Sequence, residues 1–423
     1  MSDADSMTPQ PTVPTVAGRS RVMTLLLAVI LIVSLALRLY GLDWDQGYLF
    51  HPDERAILMK VASLSLPQDP SQLLDPKNPL NPHWFPYGSF PLYLLKAFSM
   101  AFAYFNKSFA GMDMRLIGRV LSALFDTGTI FLIYLLGTKL YGRRSGLLAA
   151  AFLAFTVLNI QLSHFYAVDT IMAFFAILTI FFAWDIAQRC SYQSAALAGL
   201  SLGLAVATKV SAAPLLVPIV VAYILAAAKI REDKPASKAA GHSEPLPPCD
   251  SEPLPSGHSE CLSSYDSQPF PCHSERSEES DGAQDKVSEE SDSAQDKPGE
   301  LSSPEEETGG RSAQPAVMDE RPDGGASARR SLHRPIIGLM ITLLVATITF
   351  AVTEPYAFID SKAFIADTME QSEMVRRVRD YPYTRQYENT VPYLYHIEQL
   401  ATWGMGLPLG VVAWGGVLFT LVC

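Results

Sequence analysis

Long uncharged apolar runs alternate with polar segments along the chain. A helix needs roughly 20 apolar residues to cross a bilayer core. The runs near that length are 22–37, 117–136, 145–162, 171–184, 195–228, 335–352 and 403–423. The run 195–228 is long enough for two helices, and Lys209 within it predicts a hinge between them. The pattern therefore predicts an all-α polytopic membrane protein, a bundle of transmembrane helices.

A further apolar run, 90–105, contains Pro91 and Lys96. It fits either a membrane span or an interfacial helix that lies along the surface. Loops rich in Lys and Arg stay on the cytoplasmic side of a membrane, and a non-spanning run 90–105 places the basic clusters on that side. Under this topology the N-terminus is cytoplasmic, 22–37 is a retained signal anchor, and the loops on the outer side are 41–115, 163–169, Lys209 and 354–402.

Composition and charge divide the chain into four segments. The chain is 49% hydrophobic and only 18% charged, which excludes an ordinary soluble enzyme. Residues 230–334 hold more than the whole net charge of −11 and show no apolar period, so we expect a disordered acidic insert without a catalytic role. The acidity therefore says nothing about substrate, and we expect no nucleic-acid partner. The predicted segments are a cytoplasmic tail (1–21), an N-terminal membrane module (22–230), the insert (231–334) and a continuation of the module that ends inside an apolar run and is expected to be truncated (335–423).

The sharpest chemical feature is His51-Pro52-Asp53-Glu54, directly after the first span. Two adjacent carboxylates repel each other and lose solvation at a membrane boundary. One interpretation is a general base for an acceptor hydroxyl, assisted by the second carboxylate. The alternative is a helix start, where Asp53 and Glu54 complement the helix dipole.

A cluster of Pro and aromatic residues over 82–93 opens the run 90–105 and includes His83 and Tyr87. It is typical of the aromatic belt at headgroup depth. The functional alternative is an apolar groove for a lipid chain, with His83 or Lys96 near a phosphate.

Two further outer segments offer polar groups. His164 and Asp169 flank a predicted helix start and are candidates for substrate binding, although Asp169 fits a helix cap equally well. Lys209 lies where the positive-inside pattern disfavours a cation, which points either to an anionic ligand or to a side chain that reaches the headgroups. Asp126, inside a span, is expected to be a structural hydrogen-bonding hub.

The last outer loop carries a basic run that includes Arg376 and Arg377, followed by a Tyr-rich stretch. Arginines on this side favour a phosphate or an acidic headgroup, and we expect this loop to cover the site. No loop has the Gly-rich phosphate cradle of soluble nucleotide-binding enzymes. A donor with a lipid-linked phosphate therefore fits better than a soluble nucleotide.

The ordered set of motifs resembles a known family. Its parts are HPDE (51–54), YGSFPLY (87–93), GRVLSALFD (118–126), LGTKLYGRRSGLLAA (136–150), SHFYAVDT (163–170) and GLSLGLAVATK (199–209). This order is similar to the polyprenyl-phosphate-dependent glycosyltransferases of the C-type membrane fold (GT-C), which include protein O-mannosyltransferases and aminoarabinose transferases.

The resemblance implies an inverting transfer of one sugar from a polyprenyl phosphate to an acceptor protein, lipid or glycan, outside a plasma membrane. Asp53 would be the general base with Glu54 beside it, and Lys209 would bind phosphate. His164 and Asp169 would contact the acceptor or the donor. The other candidate substrate or donor contacts come from the residues themselves and not from the resemblance: His51, His83, Tyr87, Arg376 and Arg377. No cofactor is evident and a metal is not required by any visible feature. The alternatives are a transporter or flippase whose pathway contains Asp126 and Lys209, and an inactive truncated relative.

Overall fold

The computed structural model describes residues 16–105, 114–232, 324–391 and 393–422. Regular structure in these residues is entirely helical. The α-helices, in chain order, are α1 (Val16–Leu39), α2 (Pro52–Ser63), α3 (Ser89–Phe105), α4 (Met114–Tyr141), α5 (Arg143–Ala154), α6 (Val157–Leu162), α7 (Val168–Arg189), α8 (Tyr192–Thr208), α9 (Leu216–Glu232), α10 (Gly324–Thr353), α11 (Tyr356–Ile359), α12 (Ser361–Val375), α13 (Leu394–Gln399) and α14 (Leu407–Val422).

Five stretches of the described chain are long and apolar enough to cross a membrane: 21–39, 114–141, 168–189, 210–230 and 333–353. The apolar helices α8 and α14 are shorter. The predicted all-α polytopic membrane fold is therefore confirmed. The acidic insert lies outside the described residues except at its edges, where α9 ends at Glu232 and α10 begins at Gly324.

Helix α8 packs closely against α10 through small residues. A Cβ atom added to Gly199 would lie 2.4 Å from the carbonyl oxygen of Thr342, and one added to Gly203 would lie 2.7 Å from that of Ala346. Lipid tails provide no hydrophobic drive for association between helices, so membrane bundles depend on close contacts of this kind. The Gly and Ala content of α8 is thus explained by packing.

The predicted hinge at Lys209 is confirmed. Helix α8 ends at Thr208, Lys209 adopts an extended conformation (φ −157°, ψ 120°), and a short 3₁₀ turn leads into α9. The run 145–162, predicted as one span, is instead broken into α5 and α6 around Thr156.

A buried ion pair contacts the backbone at the break between α5 and α6. Arg38 of α1 donates from Nη1 to the carbonyl oxygen of Ala154 (3.0 Å) and from Nε to Asp126 Oδ2 (2.5 Å). Asn159 of α6 donates to the other oxygen of Asp126 (2.9 Å). Asp126 is therefore the hydrogen-bonding hub that its position inside an apolar span predicts.

Helices α3 and α4 start at the same end of the bundle. Tyr166 links the two starts, because its N–H donates to Glu54 Oε1 (2.9 Å) and its hydroxyl donates to the carbonyl oxygen of Pro91 in α3 (2.6 Å). Glu54 in turn accepts from Arg119 near the start of α4 (2.6 Å). The chain therefore makes no net crossing between α3 and α4, which agrees with the non-spanning alternative for 90–105. We call this end, where α2, α3, α4 and α7 begin, the loop-rich end.

Candidate active site

Two carboxylates stand at helix starts at the loop-rich end. Asp53 lies in the first turn of α2, behind the N-cap His51 and Pro52, and Asp169 lies in the first turn of α7. The positive end of a helix dipole favours an ionised carboxylate there. Both side chains are only partly buried, so they remain accessible to a ligand.

Asp53 and Asp169 meet two residues from other elements. Lys209, at the end of α8, places its Nζ 3.2 Å from Asp169 Oδ1 and 5.6 Å from the centre of the Tyr87 ring. Tyr87 in turn is near enough to Asp53 for the two side chains to interact electrostatically. Segments that are far apart in sequence thus form one group, which we call the acid–lysine cluster (Asp53, Tyr87, Asp169 and Lys209).

The environment of Tyr87 keeps its hydroxyl protonated. Burial raises the pKa of Tyr87, and the nearby charges of Asp53 and Asp169 raise that pKa further. A protonated phenol can donate a hydrogen bond to a carboxylate. Tyr87 is therefore a neutral neighbour that can orient the carboxylate of Asp53.

Gly88 brings Tyr87 next to Lys209 through a close approach of two backbones. Its N–H donates to the carbonyl oxygen of Thr208 (3.0 Å), and an added Cβ would lie only 1.8 Å from the carbonyl oxygen of Ala207. Only glycine fits at this contact.

Glu354, directly after α10, holds in place the residue that follows Gly88. It is fully buried, and Ser89 donates to it from both its N–H and its hydroxyl, the latter at 2.7 Å. Burial raises the pKa of Glu354 to about 7, although the hydrogen bonds from Ser89 act to lower it. Sequence reasoning missed this residue. The available signal was an acid at the very end of an apolar run, where an unpartnered carboxylate is costly.

Glu54, next to Asp53, points into a separate buried ion network. Its Oε1 accepts from Arg119 Nε at 2.8 Å, and its Oε2 accepts from Arg119 Nη2 at 2.6 Å. Arg119 also binds Asp45 (2.8 Å), and Arg115 pairs with Asp45 and with Asp43. The side chains of Glu54, Arg119 and Asp45 have no exposed surface. We call these five residues (Asp43, Asp45, Glu54, Arg115 and Arg119) the buried ion network.

The buried ion network holds Asp45 ionised. Burial acts to raise the pKa of Asp45. Hydrogen bonds from Arg119 and from the backbone of Gly47, together with the charges of Arg119 and Arg115, outweigh burial and lower this pKa to about 2. The network thereby fastens the loop after α1 to the starts of α2 and α4.

The predicted histidines lie outside the acid–lysine cluster. His51 caps α2, with Nδ1 accepting from the N–H of Glu54 (3.4 Å), and its ring stacks on Phe165. Both ring nitrogens of His164 face backbone carbonyl oxygens, of Ile160 (2.7 Å) and of Tyr40 (2.8 Å). His83 Nδ1 lies 3.3 Å from Asp360 Oδ2. The contacts of all three are with the protein's own loops.

The two predicted arginines are both exposed but differ in their contacts. Arg376 donates to the carbonyl oxygen of Ser372 (3.4 Å). Arg377 lines a cavity of about 630 Å³ formed by residues 374–396. Tyr383, which also lines this cavity, is close enough to Tyr87 to interact with it electrostatically. The cavity therefore lies near the acid–lysine cluster, although none of the four cluster residues lines it.

No group of three or more His, Cys, Asp or Glu side chains in the described part of the chain is arranged to hold a metal ion. The charged groups at the loop-rich end instead pair acid with base. The chemistry available there is proton transfer at a half-exposed carboxylate and charge stabilisation by a lysine.

A family model for dolichyl-phosphate-mannose-protein mannosyltransferases, of the GT-C type, matches residues 99–240. The matched stretch contains Asp169 and Lys209, whereas Asp53, Tyr87 and the cavity of residues 374–396 lie outside it. No curated protein matches the chain. Over residues 99–240 the chain is thus similar to this mannosyltransferase family, which suggests a membrane glycosyltransferase that uses a lipid-linked sugar donor.

Proposed function

We propose that the protein transfers one sugar from a polyprenyl phosphate to an acceptor hydroxyl, with inversion at the anomeric carbon. The observation that carries this proposal is the acid–lysine cluster. It combines an accessible carboxylate that can take a proton with a cation that can bind a departing phosphate. The match over 99–240 supports the class of donor.

In this mechanism Asp53 is the general base. Its carboxylate takes the proton of the acceptor hydroxyl while the hydroxyl oxygen forms a bond to the anomeric carbon. Asp53 is suited to this step because it is partly exposed and lies near the neutral hydroxyl of Tyr87. The neighbouring Glu54 has both oxygens bound by Arg119, so its geometry favours a positioning role over the catalytic role predicted from its place beside Asp53.

Lys209 stabilises the leaving group. As the bond between the anomeric carbon and the phosphate oxygen breaks, its electron pair stays on the phosphate, which leaves as polyprenyl phosphate. A lysine ammonium has three N–H donors, so Lys209 can retain Asp169 at 3.2 Å and still donate to a phosphate oxygen. Asp169 in this account positions Lys209.

The charge distribution supports a site on the extracytoplasmic side of the membrane. Helices α4, α7 and α9 start at or lead away from the loop-rich end, and basic residues gather where they stop: Lys139, Arg143, Arg144, Arg189 and Lys229. By the positive-inside rule this opposite end is cytoplasmic. The acid–lysine cluster then faces outward.

The test is sugar transfer by full-length protein in detergent, with a panel of polyprenyl phosphate sugars. We expect Asp53→Asn to lower turnover by roughly 10²–10⁴-fold, the usual contribution of a general base. Asp185→Asn is the matched control, because Asp185 pairs with Lys139 at the opposite end. If wild-type protein released no polyprenyl phosphate from any donor, or if the two variants behaved alike, the proposal would be wrong.

A further inference from the structure

The cavity of residues 374–396 has the dimensions of a ligand site. Its volume of about 630 Å³ lies inside the range of roughly 300–1,000 Å³ that is typical of pockets for small organic molecules. The polar and aromatic residues that line it include Arg377, Tyr383, Gln386, Tyr387, Asn389 and His396. Such a space is large enough for a short oligosaccharide.

The lining is suited to sugar rings. The flat faces of Tyr383 and Tyr387 can pack against the C–H faces of a pyranose. Amides and hydroxyls, such as those of Gln386 and Asn389, both donate and accept hydrogen bonds, as sugar hydroxyls also do. A surface that only bound a lipid chain would not need this density of polar groups.

The cavity is lined by two basic side chains, Arg377 and His396, and none of the described lining residues is acidic. The nearby arginines are already paired, Arg379 with Glu370 and Arg385 with Asp380, whereas no described acidic side chain forms an ion pair with Arg377. Arg377 adopts a left-handed conformation (φ 57°) because it follows the C-cap of α12, where the N–H of Val378 donates to the carbonyl oxygen of Glu373. Its guanidinium, which has no acidic partner among the described residues, can bind an anionic ligand.

We propose that this cavity is the acceptor subsite and that the acceptor is an oligosaccharide bearing a carboxylate or phosphate, bound by Arg377. The assignment of the bound molecule as the acceptor rests on the proposed function. The binding of an acidic oligosaccharide in this cavity does not. Tyr383 lines the cavity and is near enough to Tyr87 to interact with it electrostatically, so an acceptor that reaches from the cavity toward Tyr87 would present a hydroxyl to Asp53. Arg377 then serves the acceptor, and the donor phosphate is left to Lys209.

The test is isothermal titration calorimetry of the full-length protein in detergent. The probes are trigalacturonic acid, a singly phosphorylated maltotriose, neutral maltotriose and inorganic phosphate. We expect one of the two acidic trisaccharides to bind at least tenfold more tightly than maltotriose and than phosphate alone, and the stronger of the two identifies the anionic group. Arg377→Gln should weaken this binding by about tenfold or more, the effect of losing a charged hydrogen bond.

A control variant makes the test specific. Arg385→Gln removes a cation from the same segment that does not line the cavity, and it should leave binding unchanged. The titration contains no polyprenyl phosphate sugar, so a failure of the proposed catalysis is seen separately from a failure of this site. The proposal is overturned if neither acidic trisaccharide binds better than maltotriose, or if Arg377→Gln and Arg385→Gln act alike. It is also overturned if Arg377→Gln raises the KM for the polyprenyl phosphate sugar and leaves oligosaccharide binding intact.

Discussion

The adjacent acids Asp53 and Glu54 enter two different environments. Glu54 is fully buried and bound by Arg119 through both oxygens, whereas Asp53 is partly exposed and shares its cluster with Tyr87 and Lys209. A buried, fully paired charge fixes structure, and a partly exposed one is free to exchange a proton. We infer that the buried ion network fixes the start of α2. It thereby holds Asp53 in place within the acid–lysine cluster.

The largest expected effect on stability comes from the buried ion network. Arg119→Met leaves Glu54 and Asp45 buried without their shared cation, and breaking a buried pair in this way costs roughly 3–5 kcal/mol. We expect a strongly lowered melting temperature in detergent. Lys139→Met is the matched control, because it breaks a partly exposed pair with Asp185 that contributes about 0–1 kcal/mol. Equal melting temperatures for the two variants would contradict the structural role of the network.

A substitution of Lys209 should lower turnover and leave stability nearly unchanged, which is the opposite of the effect expected at Arg119. Lys209→Met removes the group assigned to the leaving phosphate, and we expect kcat to fall by about 10²–10³-fold, as when one charge-stabilising donor is lost. The melting temperature should change little, because the pair with Asp169 is about one-third exposed. Lys60→Met, a lysine of α2 outside the cluster, controls for charge. A large loss of stability with unchanged kcat would place Lys209 with the structural group instead.

Glu354 gives a pH test of the contact between α10 and the start of α3. Its pKa in the folded protein is raised to about 7, so the folded state binds a proton more tightly than the unfolded state. Stability should therefore fall as the pH rises from about 4.5 to about 7, by up to about 3 kcal/mol, and level off above. Thermal unfolding across this range should show the decline in wild type and a flatter profile in Glu354→Gln. Parallel profiles would refute the assignment.

Gly88→Ala is a smaller steric test of how Tyr87 is placed. The new methyl group would overlap the carbonyl of Ala207, and overpacking of this kind costs roughly 1–3 kcal/mol. We expect a moderate loss of stability together with reduced transfer, because Tyr87 moves relative to Asp53. Gly415→Ala is the control, since a Cβ there meets no atom within 4 Å. Unchanged transfer by Gly88→Ala would show that the close approach is not needed for the site.

Much of the fold could be predicted because a bilayer imposes a simple length and polarity rule on helices. The spans and the hinge at Lys209 follow directly from that rule. The break between α5 and α6 did not, because the chain there has no charged residue to interrupt the run and the break is stabilised by Arg38 of another helix. A hydropathy pattern gives no information about contacts between residues far apart in the sequence.

The candidate site was predictable in part for a related reason. Polar residues that interrupt an apolar pattern stand out, and this signal identified Asp53, Asp169 and Lys209 before their contacts were known. It could not separate Asp53 from Glu54, since their difference depends on Arg119, which lies 65 positions after Glu54. The same limit applies to Glu354, whose partner Ser89 lies 265 positions before it.

The most direct test of the account is to measure transfer and stability together for Asp53→Asn. We predict a fall in turnover of roughly 10²–10⁴-fold with a melting temperature in detergent close to that of wild type, because Asp53 is partly exposed and lies outside the buried ion network. Full turnover by Asp53→Asn, or a loss of activity that only follows a loss of folded protein, would contradict the division of labour between the two acids.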